Sequence, residues 1–117
     1  MRENKLRALW SQGKPAINGW LAVPNGFSAE VMGHQGWDTL TIDMQHGLID
    51  EGALLTMLQA LQSTPAMPVV RAPWLEPAAL MKILDAGAQA LICPMVNTRE
   101  DAQRLVSYTH YAPRGGR

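Results

Sequence analysis

What is scarce in these 117 residues narrows the field before any motif is read. A single cysteine, Cys93, excludes an internal disulfide framework, and its place in the apolar run "ALICPMV" fits a buried, inert thiol in a reducing compartment. Excess charge of either sign is missing, because ten Lys and Arg balance ten Asp and Glu. The basic residues are scattered rather than clustered, so no track for nucleic-acid phosphates is expected. No apolar run approaches the ~20 residues that span a bilayer, and the N-terminal "MRENKLRALW" lacks the apolar stretch of a secretory leader. Together these absences predict an unexported, cytoplasmic polypeptide with neither membrane nor nucleic acid as partner. A glycine-rich phosphate loop is absent as well: "VPNGFS" holds one glycine and matches neither the dinucleotide fingerprint nor the P-loop.

What is present is an ordinary globular composition, 47% hydrophobic and 17% charged, enough for one domain at most. Leu6, Leu9 and Trp10 recur at helical spacing over residues 3 to 11, and Gly13 marks the stop of a short lead-in helix. "AINGWLAVP" (16 to 24) reads as a first strand, with Ser28 placed to cap a helix bearing Val31 and Met32. "WDTLTID" (37 to 43) is a second strand, and Asp50 caps a helix whose stripe is Leu54, Leu55, Leu58 and Leu61, ending at Ser63-Thr64-Pro65. "MPVVRAP" (67 to 73) is a third strand, followed by a helix from Pro77 to a stop at Gly87. "ALICPMV" (90 to 96) is the fourth, followed by a helix over about Thr98 to His110.

Strand and helix thus alternate four times, and the strands are continuous apolar runs, the pattern of a parallel sheet covered by helices. The class is α/β. About 25 residues per unit matches the repeat of a (β/α)8 barrel of ~250 residues, but four units cannot close one; an open doubly wound sheet is the alternative.

In either architecture the active face is built by the loops that leave the C-terminal ends of the strands. The second strand ends in "DMQHG", where Asp43 and His46 could pair so that the carboxylate fixes the imidazole tautomer for general base catalysis. The third ends in Arg71, whose fork of donors suits a carboxylate or an enolate oxygen. The first offers Trp20, the fourth the Pro94-Met95 turn. Each has a plainer reading: Asp43 as a turn cap, Arg71 in a salt bridge between helices, Trp20 and Trp74 as packing, His34 and His110 as surface groups at helix ends, the seven Met as core filler. Glu51, Asp85, Glu100 and Asp101 fall on helices, and no pair of residues has metal-ligand spacing.

The stretches "GWLAVPNGFSAEVMGHQGWDTLTIDMQHG", "PVVRAPW", "ILDAGAQALICPMVNTREDAQRLV" and "YAPRGGR" resemble, in order and spacing, the N-terminal half of the HpcH/HpaI family of aldolases. That resemblance implies a (β/α)8 TIM barrel of which residues 1 to 117 form the N-terminal half of a single, apparently truncated domain, a lead-in helix and the first four βα units. It implies a carbon–carbon lyase, an aldehyde-lyase that reversibly cleaves a 4-hydroxy-2-oxo acid to pyruvate or a related 2-oxoacid and an aldehyde through a metal-stabilised enolate. By the same resemblance His46 is the general base, Asp43 orients it, and Arg71 holds the oxoacid, with Trp20 and Gln45 beside the substrate. Gln45 stands where many relatives carry Glu, which removes a negative charge next to the base. The cofactor implied is a divalent cation such as Mg or Mn, its Glu and Asp ligands lying beyond Arg117, and the implied assembly is a homo-hexamer. Two other readings stand beside this one: a non-catalytic half-barrel that persists by oligomerising, and a citrate-lyase-type enzyme acting on an acyl-CoA.

Overall fold

The computed structural model describes residues 3–117. Its elements alternate as α1 (Lys5–Ser11), β1 (Asn18–Leu21), α2 (Gly26–Gly33), β2 (Thr39–Asp43), α3 (Glu51–Leu61), β3 (Met67–Arg71), α4 (Pro77–Asp85), β4 (Ala90–Ile92) and α5 (Arg99–Thr109). The four strands form one parallel sheet in the order β1-β2-β3-β4, so every strand lies beside its neighbour in sequence and each crossover is a helix. These are the first four βα units of the (β/α)8 barrel architecture.

Local signals place the helices. Asn4 caps α1 by accepting the Arg7 amide at 3.1 Å, and Gly13 follows with φ +68°, a left-handed stop that costs glycine little. Asp50 caps α3 through the Ala53 amide at 2.8 Å, Pro77 stands in the first turn of α4 behind Glu76, and Thr98 with Asp101 forms a capping box on α5. The cap of α2 differs from expectation. It is Asn25, not Ser28, whose side chain closes the first turn by accepting the Ser28 amide at 2.8 Å, and the helix starts at Gly26. The strands are shorter than the apolar runs that contain them. In the run 90 to 96 pairing ends at Ile92, because Pro94 has no N–H to donate and Met95 takes φ +57°.

Strand alternation separates two faces. Leu21, Leu40, Ile42 and Val70 point outward and are buried with Leu54, Met57, Leu58 and Leu61 of α3 and Leu80 and Ile83 of α4. Each such side chain contributes about 1.5–3 kcal/mol by leaving water, which makes this layer the main source of stability. Asn18, Thr39, Thr41 and Val69 point inward, toward a cavity of about 680 Å³ that α1 covers with Leu6, Arg7 and Trp10. Thr39 and Thr41 both donate their hydroxyls to Asn18 Oδ1, at 2.8 and 2.9 Å, which satisfies three polar groups on this strand face.

Several sequence expectations are modified. Cys93 is half-buried rather than fully so, although burial still raises its thiol pKa. Trp20 and Trp74 are 46% and 55% exposed, too open for core residues. Met57 and Met67 do fill the interior, but Met95 projects into solvent. Among the described residues no helix is long and apolar enough to cross a membrane.

Candidate active site

The register of the sheet decides which side chains meet. Asp43 ends β2 directly opposite Arg71 at the end of β3, while Trp20 of β1 pairs with Thr41, two residues before Asp43 on the same face. Three residues separated in sequence by 23 and 28 positions therefore converge at the C-terminal mouth of the sheet.

Their geometry centres on the Asp43 carboxylate, which is only 3% exposed. Arg71 grips it side-on, Nε donating to Oδ1 at 2.8 Å and Nη2 to Oδ2 at 2.5 Å. Trp20 Nε1 donates to Oδ2 at 3.2 Å, and the same indole lies under the guanidinium, with the Arg71 Cζ 4.9 Å from the ring centroid. The backbone amides of Gln45 and His46 donate to Oδ1 at 3.0 and 3.3 Å, which turns the chain back on itself straight after the strand. The Arg71 guanidinium beside Asp43 holds its carboxyl well below the usual carboxylate range; burial opposes this, and the backbone and indole donors reinforce it. The same pairing raises the Arg71 pKa.

His46 lies three residues after Asp43 in that turn and is exposed. The pairing of the Asp43 carboxylate with the imidazole, expected from "DMQHG", is not what forms. The carboxylate meets the His46 backbone instead, and the ring has no hydrogen bond among the described residues. The physical reason is competition: the guanidinium, the indole and two amides already saturate the two oxygens. Gln45 is half-buried beside the cluster. Arg71 makes a strand-end ion pair, not a bridge between helices. His34 and His110 lie at the C-terminal ends of α2 and α5, as expected of dipole-favoured surface groups. Sequence reasoning missed the bonding of Trp20 to Asp43, whose only signal is the alignment of strand ends. It also missed Gly47, where a Cβ would run into the Asp43 carbonyl and the Ala22 backbone.

A neutral, tightly bound Asp–Arg pair next to an exposed imidazole can bind an anionic oxyacid and exchange a proton with it. Such a pair does not make a metal centre. No group of three or more His, Cys, Asp or Glu that could hold an ion exists among the described residues, and both Asp43 oxygens are already engaged.

The sequence pattern of the HpcH/HpaI aldolase/citrate lyase family matches residues 17–117. The chain belongs to the HpcH/HpaI family. A hydroxypyruvate/pyruvate aldolase of Rhizorhabdus wittichii is 47% identical over 112 residues, which are 96% of this chain and 45% of that protein. A 4-hydroxy-2-oxo-heptane-1,7-dioate aldolase of Salmonella dublin is 39% identical over 113 residues, 97% of this chain and 43% of its own length. In three dimensions an HpcH/HpaI family protein of Burkholderia cenocepacia superposes with a TM-score of 0.90 at 34% identity, covering 98% of this chain and 48% of that structure. The citrate synthase SbnG superposes with a TM-score of 0.87 at 27% identity, covering 94% of this chain and 45% of its own. The chain spans about half the length of the HpcH/HpaI relatives it matches.

Proposed function

We propose that this chain carries the base and the anion-binding arginine of a 2-oxoacid aldolase, which cleaves a 4-hydroxy-2-oxo acid to pyruvate, or a related 2-oxoacid, and an aldehyde. One observation supports the reading above others: Arg71, locked by Asp43 and Trp20, turns a charged fork toward the same mouth that carries an exposed His46. In the cleavage direction His46 accepts the proton of the 4-hydroxyl group, and the C3–C4 bond breaks. The electron pair of that bond becomes the C2–C3 double bond of the enolate, while the new carbonyl leaves as the aldehyde. The proton is then delivered to C3 to give the oxoacid, which returns the base to its starting state. Arg71 contributes by donating to the carboxylate and to the oxygen that gains charge, an interaction strongest when the enolate is formed. Trp20 and Gln45 border the substrate. A divalent cation is part of the proposal on family resemblance alone, as is a homo-oligomeric assembly. No cluster of three or more His, Cys, Asp or Glu among the described residues would supply the cation's ligand set, and none of the steps above passes through it.

The reading is tested by joining residues 1–117 to the remaining C-terminal portion of the Rhizorhabdus wittichii relative and assaying pyruvate release from a 4-hydroxy-2-oxo acid with Mg or Mn supplied. Metal-dependent release is expected. His46→Ala should reduce it by the ~10²–10⁴-fold typical of a lost general base, and Arg71→Lys should lower turnover more than affinity, because an ammonium cannot keep a two-pronged contact. A folded chimera that releases no pyruvate would refute the proposal. Saturation by a CoA ester without turnover of hydroxy-oxoacids would move it to the citrate-lyase side. Residues 1–117 alone are expected to be inactive.

A further inference from the structure

A guanidinium has two hydrogen-bonding edges, and only one of those of Arg71 is spent inside the protein. The side edge, Nε and one N–H of Nη2, is committed to the two oxygens of Asp43. The end edge, made of Nη1 and the second N–H of Nη2, has no partner among the described residues, and the side chain is 22% exposed. The plane of the group is fixed as well, because the Trp20 indole stacks beneath it while its own N–H is tied to the same carboxylate. Asp43 is thus the common point to which both restraints on Arg71 are anchored.

The same carboxylate reaches His46 by a different route. Oδ1 accepts two successive amides, those of Gln45 and His46, so it shapes the turn and leaves the ring alone. The next residues complete the brace: Gly47 packs against the Asp43 carbonyl with no room for a side chain, and the Leu48 amide donates to Ala22 at the end of β1 at 3.3 Å.

We propose that Asp43 is a positioning residue for Arg71, holding the side edge of the guanidinium so that its end edge faces a ligand carboxylate, and that it acts on His46 only through the backbone of the turn. The aldolase reading enters only in naming what Arg71 and His46 would serve. The arrangement itself is measured without catalysis, so the failure of one is distinguishable from the failure of the other. The Asp43→Asn substitution separates the two functions, because a carbonyl oxygen in the place of Oδ1 can still accept the turn amides and the Arg71 Nε–H, while an NH2 group in the place of Oδ2 faces the Nη2 of Arg71 and the Nε1 of Trp20.

The experiment is 15N NMR of the chimera with the C-terminal portion of the Rhizorhabdus wittichii relative and of its Asp43→Asn variant at one fixed pH, following the Arg71 Nε–H and Nη2–H, the Gln45 and His46 amides and the two ring nitrogens of His46. In the variant the Arg71 Nη2 protons, which lose Oδ2 as acceptor, are expected to exchange with solvent at least about tenfold faster, as befits a lost charge-assisted hydrogen bond. The two turn amides and the ring-nitrogen shifts of His46 should stay in place. The idea is overturned if the Arg71 Nη2 signal is unchanged while the ring nitrogens move to the other tautomer's shifts, the signature of a carboxylate that orients the imidazole directly. Should the variant not fold, the unsubstituted chimera still decides. A scalar coupling across the Arg71 Nε–H to the Asp43 carboxylate supports the assignment, and a ring N–H of His46 bonded to that carboxylate refutes it.

Discussion

A carboxylate stripped of water must recover its hydration from the protein, and Asp43 does so through five hydrogen bonds from Arg71, Trp20 and two backbone amides. Its partner keeps some contact with solvent, which lowers the cost of bringing the charges together. Because the folded carboxyl titrates well below the ~3.9 of an unfolded Asp, its stabilising contribution is complete above that value and drains away as the pH falls toward the folded pKa. Urea midpoints should therefore decline as the pH is lowered from 5 through 4 and 3, and the decline should be shallower for Asp43→Asn. Equal slopes for the two proteins would contradict the role given to the pair. At this scale the candidates were legible: Asp43, His46 and Arg71 stand out as polar groups at the ends of apolar strands. Their pairing was not, because "D-x-x-H" suggests a local partner while the actual one lies 28 residues away.

Among elements, the β2–α3 connection carries the tightest constraint. Residues 43 to 50 leave the strand, turn back against the carboxylate and β1, and then enter α3 through the Asp50 cap. Gly47 is the point of closest approach, and a methyl group there would overlap the Asp43 carbonyl oxygen. Backbone cannot yield as a flexible side chain does, so Gly47→Ala should cost about 1–3 kcal/mol by overpacking and displace the turn that holds His46. Denaturant unfolding measures the first effect, and the His46 amide shift reports the second; a variant as stable as the parent with an unmoved amide would show that the turn has slack. Most helices could be read in advance because their caps and stops are local: Asp50, Pro77, Thr98 and Gly13 each act within one turn. The strand lengths could not, since pairing ends where a neighbour or a proline ends it and not where hydrophobicity fades.

At the scale of the whole chain, the outer strands β1 and β4 each have a neighbouring strand on one side only among the described residues, and the inner face opens onto a cavity bounded by α1. Unpaired edges of a parallel sheet offer a template for further strands. Phe27, Leu48, Trp74 and Met95 add exposed apolar surface in the segments that leave the C-terminal ends of the strands. The 117-residue chain by itself is accordingly expected to self-associate or aggregate at micromolar concentration. Sedimentation velocity checks this, and a single monomeric species across a hundredfold range of concentration would show that the edges are protected.

The order of the elements, the parallel α/β class and the residues with chemistry at the strand ends are all present in the sequence alone. Each follows from periodicity, capping and the position of a polar group within an apolar run, which are properties of a few adjacent residues. What those polar groups do to one another was decided by the register of three strands. That register sets Asp43 opposite Arg71, brings the Trp20 indole to both, and leaves the His46 ring outside the cluster. Electrostatic pairing falls off over a few ångströms, so it depends on distances across the sheet that no spacing along the chain encodes.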